Sequence, residues 1–391
     1  MTGGYRLVEV RTRWEREAFL ELPWRIYRDD PNWIPHLRQD IEHVFDRRKN
    51  GAFRHGDAVR WILLDAGGKV VGRVAAFVDE RAADRYPQRS GGMGFFECIH
   101  DQEAANLLFG ACKQWLEQRG MEAMNGPINF GERTAYWGLL VENFTSPPTY
   151  QLNYNPPYYK ELFEQYGFRP YYYQYVYRKL LRGKAPEVLD RKSEELRRDP
   201  RFAVRSVRGM SNREIAEGFR KVFNAAWAHR EGVRPLESRQ ALAIVKALAP
   251  IADPDIAMFA WYDSEPIGFY FNIPEPNQIF KHVHGNLNLI GKAKFLWHKW
   301  RRTSRIMYGL VFGVVPAWHG RGVEGALIKF VETDILPLNR YDDLIMLWVG
   351  DFNPKMIKIC ERLEATRYRT LATYRIIFDP SIPFQRSPIE D

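Results

Sequence analysis

Between Val314 and Leu327 the chain reads VVPAWHGRGVEGAL, an apolar run, a proline, two glycines and the start of a helical period. Pro316 ends a strand ladder by removing a donor, and Gly320 and Gly322 permit a tight turn. The free N–H groups at a helix start, aided by its dipole, bind phosphate oxygens. Arg321 adds positive charge. Glu324 works against it, because a carboxylate ~4 Å from a phosphate is repelled by on the order of 4 kcal/mol at an effective dielectric near 20. That penalty falls if Glu324 turns aside to cap backbone amides. The spacing therefore predicts a phosphate cradle with one acidic residue inside it.

Elements must position that turn. RIMYGLVFGVV (Arg305–Val315) predicts a buried strand, rich in β-branched and aromatic residues. RWILLDAGGKVVGRVAAFVD (Arg60–Asp79) predicts a β-hairpin about a glycine-rich turn, and AMFAWYDSEPIGFYFNIP (Ala257–Pro274) repeats the plan. Each half then offers a strand, a helix, another strand and an Asn-Pro segment opening a further helix. NPPYYKELFEQYGFR from Asn155 and NPKMIKICERLEATR from Asn353 align without gaps. The shared order of elements points to duplication, and alternating strands and helices to the mixed α/β class. Expected boundaries are a first domain at 1–180, a charged connector at 181–201 and a second domain at 202–391.

With 391 residues, 45% of them hydrophobic, the chain can build two cores. A net charge of +9 favours anionic partners. Cys98, Cys112 and Cys360 are odd in number and lack C-x-x-C spacing, which argues against a disulfide framework and a metal site. No apolar run approaches the ~18 residues of a transmembrane helix, and the N-terminus is charged where a signal peptide would be apolar. The expected location is the cytoplasm. One insertion, KHVHGNLNLIGKAKFLWHKWRRTSR (Lys281–Arg305), has seven Lys or Arg and no acid. It reads as a nucleic-acid or membrane contact, as a lid for an anionic cofactor, or as a basic connector helix with its aromatics packed inward.

On these residues the second half, about 203–380, resembles the GNAT superfamily of acyl-CoA-dependent N-acyltransferases. There a strand ends in an apolar-x-Pro step followed by Gln/Arg-x-x-Gly-x-Gly/Ala, whose amides hold the coenzyme A pyrophosphate. The matching positions run His319, Gly320, Arg321, Gly322, Val323 and Glu324, with Val314 at the strand end. Asn353 corresponds to the late Asn that lies against the pantetheine arm. The first half, about 5–180, resembles a divergent copy. Its GFFECIHDQEAANLLFGACKQWLEQRG (Gly94–Gly120) has no glycine turn, and Asp101 reads as a helix N-cap. The segment Asn125–Tyr159, ending in Asn-Pro-Pro-Tyr-Tyr, is similar to one in bacterial two-domain GNAT-like proteins; it suits a pocket wall or a turned loop on a sheet edge.

The resemblance implies two tandem GNAT-like domains, each a mostly antiparallel twisted sheet flanked by helices. It implies acetyl-CoA or another acyl-CoA as co-substrate, bound by the second half, and a small-molecule or peptide amine as acceptor. A strand amide near Val314 would polarise the thioester carbonyl. The family's acid, a Tyr seven residues after the Asn, falls by count on Cys360, which alternatively packs in the core. Asp351 is the nearest carboxylate for a base, or else caps the Asn-Pro turn. A fused pair would replace the dimer of single-domain relatives, so a monomer is expected, with a dimer the alternative. Two other functions compete: a GNAT-fold acyl-CoA-binding or regulatory protein without chemistry, and a peptidyltransferase using aminoacyl-tRNA, for which Lys281–Arg305 would contact nucleic acid.

Overall fold

Each half of the chain opens with an edge strand and two helices, then lays down the same series of strands. The computed structural model describes residues 4–85, 87–181, 191–227 and 235–389. The first half contributes β1 (Arg6–Glu9), α1 (Arg13–Ile26), α2 (Arg38–Phe45), the hairpin β2 (Gly56–Leu64) and β3 (Val70–Asp79), and the short α3 (Glu80–Ala83). It continues with β4 (Ser90–Cys98), α4 (Gln102–Glu117), β5 (Ala123–Gly126), β6 (Leu139–Glu142), α5 (Tyr159–Tyr166) and β7 (Arg169–Leu180). Of the connector expected at 181–201, residues 182–190 lie outside the described residues, and the rest includes α6 (Arg191–Arg197).

The second half repeats the order with β8 (Phe202–Ser206), α7 (Asn212–Trp227), α8 (Ser238–Leu248), β9 (Ala257–Tyr262) and β10 (Glu265–Pro274). Two helices, α9 (Asn277–Phe280) and α10 (Leu289–Trp300), are inserted before β11 (Ile306–Val314). Then come α11 (Val323–Phe330), β12 (Asp343–Gly350), α12 (Pro354–Arg362) and β13 (Thr366–Ile377).

All strands join one sheet in the order β1-β2-β3-β4-β5-β13-β7-β12-β11-β10-β9-β8, with β6 beside β13. From either edge inward the first five positions are the same series, as duplication requires. The last strands are exchanged: β13 of the second half lies against β5 (Tyr374 opposite Gly126), and β7 of the first half lies against β12 (Asp343 opposite Leu180). At the centre β7 and β13 pair antiparallel from Arg169–Arg375 to Arg178–Thr366. The sheet is antiparallel except at β4–β5 and β11–β12.

Helices cover both faces. In the first half α4 and α5 bury Leu108, Phe109 and Phe163 on one side, while α1 and α2 bury Phe19, Leu22 and Ile41 on the other. In the second half α11 and α12 bury Leu327 and Cys360, and α7 and α8 bury Phe219, Val222 and Ala241. Where the halves meet, Tyr27, Tyr154, Val176, Tyr308, Ile345 and Leu371 form a shared cluster. Full burial of such side chains is worth about 1.5–3 kcal/mol each, so the junction is a core in its own right. Buried Glu275 crosses it by accepting the Tyr150 amide (2.7 Å) along with those of Asn277 and Gln278. Burial pushes its carboxyl up to about 7. No helix among the described residues is long and apolar enough to cross a membrane.

Candidate functional site

The parallel strands β11 and β12 pair only from Ile306–Asp343 to Gly309–Met346, then part. The cause lies on the other edge of β11: Asn272 of β10 faces Gly309 and Phe271 faces Val311, which leaves Leu310 as an extra, bulged residue. A bulge bends its strand and sharpens the twist, so β11 turns away from β12. The opening holds a cavity of about 260 Å³, lined by Leu310, Phe312, Met346 and Val349 from the strands and by Ile328 and Ile359 from α11 and α12. Carbon dominates the lining. Its charged members are paired, Lys179 with Glu364 and Glu332 with Lys329. Tyr270 of β10 also faces the cavity, its ring 5.3 Å from that of Phe312. Burial holds its phenol well above the ordinary range, so the proton stays on oxygen.

Beyond the bulge, β11 offers backbone groups to the opening. The Val315 amide donates to Ile267 on β10 (2.9 Å). Backbone groups alternate along a strand, so the amides of Val314 and Phe312 face the parted side. His319 Nε2 donates to the Val314 carbonyl at 2.9 Å, fastening the turn back onto the strand end. Gly320 and Gly322 both have positive φ, +68° and +96°, the conformation the two glycines were expected to supply. Gly322 is the N-cap of α11, which leaves the amides of Val323, Glu324 and Gly325 without helical acceptors.

A Cβ on Gly320 would meet open space, whereas one on Gly322 would lie 2.6 Å from the Lys192 backbone, so α6 closes one side of the turn. Lys192 Nζ donates to the Gly320 carbonyl (2.8 Å). Arg321 is exposed, and its guanidinium lies 5.4 Å from the centre of the Trp318 ring. Glu324 is half-buried and has no hydrogen bond or ion pair among the described residues. A donor set of bare amides, Lys192 and Arg321 suits a pyrophosphate; the uncompensated Glu324 carboxylate opposes it.

Asn353 caps α12, its Oδ1 accepting from the Met356 amide (3.1 Å). Asp351 is ion-paired with Arg386 of the C-terminal segment and lies outside the cavity lining. Cys360 is fully buried beneath α12, does not line the cavity, and has its thiol pushed up to about 12 by burial. Val314 and residues 319–324 thus follow one another from the end of β11 to the start of α11, and neither they nor Asn353, Cys360 and Asp351 belong to the cavity lining. Tyr270 and Lys192 were missed by the sequence reading. Tyr270 sits in an aromatic strand, GFYFN, where nothing local says which ring meets a cavity. Lys192 approaches the turn from a connector helix more than a hundred residues away.

The matching opening in the first half is filled. There β4 and β5 part after Gly92–Asn125, and the Ile128 amide donates to the Met93 carbonyl (2.7 Å). A Cβ on Gly94 would lie 2.0 Å from the Ile128 carbonyl oxygen, so this segment of Asn125–Tyr159 presses directly on β4. Elsewhere in it, Asn155 Oδ1 accepts from the Leu140 amide, and Tyr150 and Tyr154 donate to Asp40 and Asp30, which braces the loop. The segment is also a pocket wall, since Asn125, Asn129, Arg133 and Trp137 line a cavity of about 290 Å³ beside Ser90 and Gly92. Asp101 caps α4 through the Ala104 amide (2.8 Å), placing a carboxylate where a phosphate loop would bind.

No family model matches the chain. It is 28% identical over 371 residues to protein YghO of Escherichia coli, covering 92% of each. It is also 28% identical over 377 residues to the bacterial ceramide synthase of Caulobacter vibrioides, covering 94% of this chain and 96% of that protein. Among solved structures, a tandem GNAT protein from the clavulanic acid biosynthesis pathway superposes with a TM-score of 0.55 at 9% identity, covering 97% of this chain and all of that one. The fold of the whole chain is that of two GNAT units in tandem.

Proposed function

We propose that this chain, built as tandem GNAT units, transfers an acyl group from a coenzyme A thioester to the amine of a long-chain base, making the amide bond of a ceramide. The observation that carries this reading is the carbon-lined cavity where β11 and β12 part, which suits an acyl chain better than a polar acceptor. The likeness to a bacterial ceramide synthase along nearly the whole chain supports it. The co-substrate supplies an activated acyl carbon and a thiolate leaving group.

The chain's own residues do the rest. Amides of Val323, Glu324 and Gly325, with Arg321 and Lys192, hold the pyrophosphate. Amides of Phe312 and Val314 align the pantetheine arm and polarise the thioester carbonyl, and Asn353 fixes the start of α12 beside it. The amine forms the C–N bond as the C–S bond breaks, and its surplus proton leaves with the thiolate as a thiol. Tyr270 donates a hydrogen bond from its phenol to that sulfur. In this reading Cys360 packs the core and Asp351 anchors the C-terminal segment.

The test is incubation of the purified chain with sphinganine and either palmitoyl-CoA or acetyl-CoA, reading the amide by mass spectrometry and thiol release colorimetrically. Long-chain amide formation, with acetyl transfer slower, is the expected result; no CoA-dependent amide from any long-chain amine rejects the reading. Glu324, which has no partner among the described residues, favours one alternative, an acyl-CoA-binding or regulatory protein without chemistry. Thermal stabilisation by acyl-CoA with no turnover would establish that instead.

A further inference from the structure

Helix α10 is anchored by one side only. Asn288 caps it through the Gly291 amide (2.9 Å), Phe295 stacks on Phe280 of α9 (5.7 Å) and His298 on His282 (3.8 Å). At 3.6 residues per turn, Gly291, Phe295 and His298 share the inward side. The opposite side presents Leu289, Ile290, Leu296, Trp297 and Trp300, exposed by 85%, 69%, 64%, 53% and 74%. The aromatics are therefore not packed inward as a connector helix would have them, apart from Phe295. Lys292 lies on one border of this apolar side and Lys294 and Arg301 on the other, while Lys299 turns to the Pro250 carbonyl. No acid occurs from Lys281 to Arg305.

Single exposed apolar residues are ordinary; five on one face of one docked helix are not. The borders decide what covers them. A protein interface is depleted in lysine, whereas here lysines frame the patch. A nucleic acid would meet cations and stacking rings, but Leu289, Ile290 and Leu296 give a phosphate nothing to bind. An apolar stripe with tryptophans, edged by cations, matches a helix lying in the headgroup layer of an anionic bilayer.

We propose that α10 seats the protein on an anionic lipid bilayer, with Leu289, Leu296, Trp297 and Trp300 entering the acyl boundary and Lys292, Lys294 and Arg301 at the phosphates. No residue of the cavity or the glycine turn is involved, so this inference stands whether or not the chain transfers acyl groups. The test is co-sedimentation of the full chain with vesicles of phosphatidylcholine and phosphatidylglycerol, and with phosphatidylcholine alone. Binding to the mixed vesicles is expected, weaker without the anionic lipid. Trp297→Ser/Trp300→Ser should lower it by about tenfold or more with unchanged thermal unfolding, and Lys292→Glu/Lys294→Glu should remove the preference for anionic lipid. Failure to sediment with mixed vesicles at low salt, or full binding by the double Trp variant, overturns the proposal. So does retention on RNA, or self-association lost in the Trp variant, when vesicle binding is absent.

Discussion

Glu324 and Tyr270 carry opposite lessons at the scale of single residues. Glu324 was conspicuous in the sequence because a carboxylate in a turn expected to hold phosphate violates simple electrostatics, and the fold leaves it without a compensating partner among the described residues. Replacing it with Gln should tighten coenzyme A binding by about tenfold or more, read by isothermal titration; unchanged affinity would mean that its charge is turned from the phosphates. Tyr270 was invisible, since its meaning depends on a neighbouring strand bending away. Tyr270→Phe should lower kcat for acyl transfer by about tenfold or more while leaving coenzyme A affinity intact. A matching loss of both would make it a packing residue. At Gly322, an added Cβ would meet the Lys192 backbone in a φ that L residues avoid, so Gly322→Ala should displace α6 and weaken coenzyme A binding as well as stability.

Among elements, whatever was encoded locally could be read. The two hairpins and the Asp101 and Asn353 caps follow from residue types a few positions apart, whereas Asn155 accepts the Leu140 amide and α5 starts only at Tyr159. Asn353→Ala should cost about 1 kcal/mol in denaturant unfolding through loss of its cap, and Asn353→Asp should restore it, since Asp also caps. The parting of β11 from β12 was not legible. It originates in one bulged residue, Leu310, and the adjacent Gly309 marks it only ambiguously, since a glycine inside a strand fits a bulge or a close backbone approach alike. The same holds for the filled opening of the first half, where residues after Asn125 cross over β4: a sequence rich in Asn, Pro and aromatics serves a pocket or a plug equally well until its path is known.

For the whole molecule, the duplication could be inferred, but the exchange of final strands could not, because β7 and β13 read as strands whichever partner they choose. The junction they create contains Glu275, whose carboxyl is raised from 4.5 to about 7. The folded state therefore binds the extra proton between those values, so stability is full below about pH 4.5 and falls as pH rises through 7, by roughly 3 kcal/mol. Comparing unfolding of the native chain and Glu275→Gln at pH 5 and pH 8 checks this; the loss should be smaller in the variant, where Asp40 and Glu97, also raised by burial, still contribute. Stopping the chain before Thr366 would bare the edges of both β5 and β7, and such edges aggregate. Coexpressed pieces 1–181 and 191–391 should instead copurify, each supplying the other's missing strand. A further consequence is historical. Because β7 contributes Lys179 and Leu180 to the wall of the second unit's cavity, the copy that has no glycine turn still owns part of its sibling's cavity. Neither unit can therefore be removed or drift without altering the other's sheet and cavity wall, and the two are bound to a single inheritance.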